Sequence, residues 1–121
     1  MANEIQISAK LYAAKGGAYL PNTTYTGTLT MAGTDMASQT LSIGTTEETI
    51  SPGTDVTLPA HILIANLDST NFVQIGFGTG SYKWRLRAGE FCLLPYLESG
   101  VTIYAKADTA ACTVQVSACE V

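Results

Sequence analysis

Charge is what this chain has least of. Six Lys and Arg and ten Asp and Glu in 121 residues make a charged fraction of 13%, about half the usual value near 25%. The formal charge of −4 and pI near 4.7 leave the chain as a whole without the electrostatic footprint that nucleic acid or an anionic membrane would need. Histidine occurs once, as His61, so a Ser-His-Asp or Cys-His arrangement would have to be built on it alone. It follows Pro59-Ala60 and opens an apolar strand, which suits a histidine bonded to backbone or water. No G-x-S-x-G, H-E-x-x-H or Walker-type loop is present. The carboxylates Glu47, Glu48, Asp55, Asp68 and Asp108 are scattered, without the D-x-D-x-D-G spacing of a calcium loop. Catalytic, cofactor and metal sites are therefore not expected.

Two further scarcities narrow the class. No stretch approaches the roughly 18 apolar residues of a membrane helix, and MANEIQISAKLY has neither a basic n-region nor an apolar h-region. These features predict synthesis and retention in a cytoplasm. The three cysteines, Cys92, Cys112 and Cys119, are an odd number in apolar strand contexts, with no C-x-x-C pair. Buried free thiols are the expectation, and a bridge between two of them stays open because one sequence does not show strand neighbours.

What the chain does have is Thr, Ser, Gly and Ala in short alternating segments. Ile5, Ile7, Ala9 and Leu11 alternate until Gly16-Gly17 marks a turn or bulge, and Thr24 to Met31 and Met36 to Ile43 read as strands around a turn at Ala32 to Asp35. Gly44 to Asp55 is predicted as an exposed loop, with at most one helical turn at Thr45 to Glu48 before Ser51-Pro52-Gly53. Ile62 to Ala65 form an apolar run, Asn66 to Asn71 a turn, and Val73, Ile75 and Phe77 a second alternation. Gly76-Phe77-Gly78-Thr79-Gly80 lacks the following helix of a phosphate loop and is read as a hairpin turn. Later alternations at Val101 to Lys106 and Val114 to Ala118 are separated by turns at Glu98 to Gly100 and Ala107 to Ala110.

Roughly eight to ten strands at spacings of about 8 to 12 residues predict an all-β, single-domain antiparallel β-sandwich, either jelly-roll or immunoglobulin-like. One domain spans residues 1–121, and a chain of this length buries roughly two-thirds of its unfolded surface. Residues 1–40, dense in turn residues, best suit an extended N-terminal arm on that domain.

The run HILIANLDSTNFVQIGFG, followed by a basic-apolar strand and RAGEFCLLPY, resembles small virion proteins of tailed bacteriophages, of the capsid decoration or cement type. The resemblance covers roughly residues 40 to 121 and rests best on the turns Asn66-Leu67-Asp68-x-x-Asn71 and Ala88-Gly89-Glu90. It implies a non-enzymatic head-stabilisation protein of the virion. Such a protein is made in the host cytoplasm and bound as a homotrimer to the major capsid protein on the capsid exterior. Two alternatives stand beside it: a carbohydrate-binding module of the tail or a fibre, and a head-to-tail connector subunit.

Lys83, Arg85 and Arg87 place three positive charges on one side of one strand of an acidic chain. They are the candidate partner contacts, steering an acidic surface into register; equally, they are a solvated face that discourages edge-to-edge aggregation. Trp84 and Leu86 alternate against them and are expected in the core, although Tyr82, Trp84, Tyr96 and Tyr104 would together offer an aromatic platform for sugar.

Overall fold

Gly16 and Gly17 both adopt positive φ, 58° and 85°. That is the requirement of a type I′ two-residue hairpin turn, which glycine meets without steric cost. The turn joins β2 (Ala14–Lys15) to β3 (Ala18–Tyr19), and outside them β1 (Ile5–Ala9) pairs antiparallel with β4 (Tyr25–Leu29). The structure is a computed structural model that describes residues 4–31, 33–53, 56, 60–95 and 97–120. Ala32, Asp55 and Tyr96, named above in turn, loop and platform readings, lie outside the described residues.

Contacts divide the chain into two compact units, residues 1–32 and 33–121. The first is the two-stranded ribbon just described, in which Leu20 N–H also bonds Ala13 O at 2.9 Å. Ile5, Ile7 and Ala9 share one face with their cross-strand partners Leu29, Gly27 and Tyr25, while Gln6, Ser8, Thr26 and Thr28 make the other. Residues 36–40, grouped with the arm in the sequence reading, lie in a strand of the second unit.

Among its described residues that unit contains eight strands: β5 (Met36–Ile43), β6 (Glu48–Ile50), β7 (Ala60–Asn66), β8 (Val73–Gly76), β9 (Trp84–Leu86), β10 (Phe91–Leu94), β11 (Ile103–Ala107) and β12 (Cys112–Glu120). They form two antiparallel four-stranded sheets with orders β10-β7-β12-β5 and β6-β11-β8-β9. Strand β5 pairs with β12, β6 with β11, β7 with β10 and β8 with β9. Those are the rungs of one long folded hairpin, and the pairs β7–β12 and β8–β11 roll it into two sheets. The connectivity is that of a jelly roll. Only the β8–β9 hairpin stays within one sheet; the other links between consecutive strands cross the sandwich, unlike the immunoglobulin arrangement with its in-sheet neighbours.

One aliphatic core joins the sheets. Ile43, Ile62, Ile64, Cys112, Val114 and Val116 from the first sheet meet Ile50, Val73, Ile75, Leu86, Ile103 and Ala105 from the second. Fully burying a side chain of this size contributes about 1.5–3 kcal/mol. Trp84 packs half-buried at the margin, its ring edge-on to Phe77 at 5.3 Å. The segment 44–55 is not wholly an exposed loop. Glu48–Ile50 pairs with β11, and Ile50, opposite Ile103, is core. A three-residue strand with a single apolar side chain is too short for periodicity to reveal.

The β8–β9 hairpin turns through Gly78 to Ser81, with Ser81 N–H bonded to Gly78 O at 3.0 Å. A Cβ on Gly76 would stand 1.9 Å from Ser81 O, so the first glycine of the expected turn is required by close backbone approach.

Candidate functional site

Strand alternation leaves each sheet with one outward face, and the two faces differ in chemistry. On the β10-β7-β12-β5 sheet the outward positions are Phe91 and Leu93; His61, Leu63 and Ala65; Thr113, Gln115, Ser117 and Cys119; and Met36, Ser38, Thr40 and Ser42. Among the described residues this face carries no Asp, Glu, Lys or Arg. Its β12–β5 half is tied by hydroxyl and amide contacts, Ser38 Oγ to Ser117 Oγ at 2.9 Å and Gln115 Nε2–H to Ser38 Oγ at 3.3 Å. Its β10–β7 half is apolar, with Phe91, Leu93 and Leu63 exposed.

On the other sheet, register sets Lys106, Gln74 and Arg85 side by side across β11, β8 and β9. Lys83 and Arg87 flank β9, which is only Trp84–Leu86, and all three predicted contact residues are exposed while Trp84 and Leu86 face inward. The strand therefore presents the basic side chains on the expected face, but their electrostatic states differ. Arg87 is committed to Glu90: Nε donates to Oε1 at 3.0 Å and Nη2 to Oε2 at 3.1 Å, and Glu90 Oε1 also accepts the Arg87 backbone N–H at 2.7 Å. The pairing holds the Glu90 carboxyl below its ordinary value and raises the guanidinium. Arg85 lies over the Phe72 ring at 4.2 Å, a cation–π contact. Thr70, Phe72, Arg85, Arg87, Ala88 and Glu90 line a shallow groove of about 510 Å³.

Lys106 and Phe72 are the members of this patch that the sequence reading did not single out. Alternation put Lys106 on the outward side of its strand, but only the pairing register reveals that it shares a row with Arg85. Nearby, Glu47 accepts from Gly80 N–H at 2.6 Å and from the Tyr82 hydroxyl at 2.7 Å. These bonds, the backbone one first, hold Glu47 below the usual carboxylate range, and the carboxylate in turn pushes the Tyr82 phenol up to about 12. The aromatic platform is not assembled: Tyr82 is used by Glu47, Trp84 faces inward and Tyr104 faces out from β11.

The two turns on which the family resemblance rests meet at one buried residue. Asn66 accepts at its carbonyl O from Gly89 N–H at 3.1 Å and gives its own N–H to Glu90 O at 2.8 Å. Its side-chain amide donates to Leu86 O and Asn71 O at 3.0 Å and toward Arg87 O at 3.3 Å, while Oδ1 accepts from Asp68 N–H at 3.0 Å. Asp68 then caps the loop, accepting from Asn71 at 2.6 Å and Thr70 at 2.9 Å, which lowers its pKa. This junction carries the chain from one sheet to the other beside Arg85 and Arg87. Its work is positional, because both motifs spend their polar groups within the junction, Asn66 and Asp68 on backbone and Glu90 on Arg87.

His61 is buried on β7, and desolvation pushes its pKa down. Cys92, Cys112 and Cys119 are free thiols whose pKa values burial raises. Among the described residues no three His, Cys, Asp or Glu side chains gather as metal ligands, and no helix is long and apolar enough to cross a membrane. No family model, characterised protein or solved structure matches the chain.

Proposed function

We propose that this chain is a non-enzymatic structural protein of a tailed-bacteriophage virion. It binds the major capsid protein on the outer surface of the head and stabilises the lattice as a decoration or cement protein. The observation that carries the reading is the basic row Lys106-Gln74-Arg85 with Lys83 beside it, displayed on a rigid sheet of an otherwise acidic chain. Basic side chains so fixed match an acidic surface of defined spacing and set docking register and on-rate more than affinity. The resemblance of the Asn66 and Gly89 turns to decoration proteins supplies the identity of that surface. A ligand that binds the assembled, expanded lattice and not the free subunit stabilises the lattice by mass action. A homotrimer suits capsid sites of threefold or local threefold symmetry.

The test is occupancy on expanded heads that lack the protein. Wild type should saturate the heads, and Lys83→Glu/Arg85→Glu should bind at least about tenfold more weakly, with the difference shrinking as salt rises. Equal occupancy of wild type and the double variant would reject the basic face as the contact.

A further inference from the structure

Among the described residues of the ribbon only Ile5 is buried, too little for a core of its own. A two-stranded hairpin alone is marginally stable in water, yet this one leaves Leu11 79%, Tyr19 76% and Tyr25 73% exposed, with Tyr12, Leu20 and Leu29 also open. Ala9, Leu11, Leu20, Pro21 and Tyr25 line an apolar groove of about 450 Å³. Aromatic side chains bury about 150–250 Å² each. The three exposed tyrosines thus supply roughly half of the ~800 Å² per partner of a standard interface.

A matching surface exists on the sandwich. Phe91 is 69% exposed, and with Leu63 and Leu93 it forms an apolar strip on the outward face that carries no charge among the described residues. The charges of the two units are opposite in sign. Two of the six Lys and Arg but only one of the ten Asp and Glu lie in residues 1–32, so the ribbon is weakly positive and residues 33–121 carry all the net negative charge. Ribbon against ribbon and sandwich against sandwich are like-charged, whereas ribbon against sandwich is complementary.

We infer that the ribbon of one copy docks on the Phe91-Leu93-Leu63 strip of a second copy, so that the chain self-associates by exchanging arms. The contact is heterologous: each copy gives a ribbon and receives one, and such contacts close into a ring when the rotation permits. The occupant of the strip is therefore a second copy of this chain, held by tyrosine and leucine side chains, while the opposite net charges of the two units act at longer range to favour ribbon on sandwich. This deepens the homo-oligomer part of the proposed function, and it is tested on the full chain free in solution, apart from capsid binding.

Sedimentation velocity of three samples reads it. Wild type should sediment as an oligomer. Tyr19→Ser/Tyr25→Ser and Phe91→Ser/Leu93→Ser, both at exposed positions, should each associate at least about tenfold more weakly. An equimolar mixture of the two variants should recover a dimer, because one intact ribbon and one intact strip remain per pair. A monomeric wild type, a Phe91/Leu93 variant that assembles like wild type, or a mixture that stays monomeric would each overturn the inference. Should a variant misfold by circular dichroism, a photo-crosslinking side chain in place of exposed Tyr19 decides: in mixed ¹⁵N and unlabelled copies it should join the peptide carrying Phe91 and Leu93 of the other isotope. Only same-isotope links would overturn it.

Discussion

The two sheets of the sandwich are built alike on the inside and differently on the outside. Inward positions on both are β-branched or small, and they interlock in one core. Outward, the β10-β7-β12-β5 sheet is charge-free among the described residues, divided between hydroxyl and apolar halves, whereas the β6-β11-β8-β9 sheet shows Lys106, Arg85 and Lys83 beside Phe72. Folding depends on the shared interior, so both outer faces are free to be specified by what they touch. Low charge density over the whole chain conceals this, because four of its six basic residues lie on or beside one sheet.

Removing what the faces share should produce the largest effects. Asn66→Ala orphans carbonyls at Leu86, Asn71 and Arg87 and the Asp68 amide. At about 1 kcal/mol for each of these four bonds, the expected loss is roughly 4 kcal/mol in urea unfolding. Ile64→Ala, in the centre of the core, should cost about 2–4 kcal/mol by the same measurement. A loss much smaller than this for Asn66→Ala would mean that the loops hold together without it.

The pH dependence should come next, with carboxylates setting the acid limb and Tyr82 the alkaline one, the two coupled through the Tyr82–Glu47 bond. Asp68, Glu90 and Glu47 are held below their ordinary pKa values by hydrogen bonds. Between ordinary and folded values the unfolded chain binds more protons, so their contribution is present above the ordinary carboxylate range and lost as pH falls through the folded values. Tyr82 runs the other way. Its phenol is raised from 10.0 to about 12, so its contribution is complete below 10 and lost as pH climbs to about 12. Tyr82→Phe should flatten the alkaline limb of a urea-midpoint profile and reduce the acid limb only by the Glu47 share that the Tyr82 hydroxyl supports, leaving the Asp68 and Glu90 contributions in place.

The smallest effects on stability, and the sharpest on the contrast between faces, should come from charge substitutions at exposed positions. Arg85→Glu and Thr40→Lys should each leave the melting temperature within the narrow range of surface changes. Arg85→Glu should weaken head binding, and Thr40→Lys should not. Equal loss from both would mean that the faces are not specialised.

Much of the sandwich was legible from residues alone. The β5 limits, the hairpin at Gly78 to Ser81 and the inward course of Trp84 and Leu86 follow from alternation and turn chemistry. The choice of jelly roll over immunoglobulin sandwich does not, because strand order is a property of pairing and both folds show the same short alternating strands. For the same reason Lys83, Arg85 and Arg87 could be placed on one side of a strand, but neither the row with Lys106 nor the Glu90 clasp on Arg87 could be read. The meeting of the Asn66 and Gly89 turns was also hidden, since more than twenty residues separate them in sequence and only the β7–β10 register brings them together.

The central proposal, that this is a lattice-wide head protein of a phage, is tested most directly by its copy number relative to the major capsid protein in purified particles that carry it, measured by quantitative mass spectrometry. Near-stoichiometric abundance is expected. A single ring's worth of copies per particle would contradict the claim and place the protein at the connector or tail.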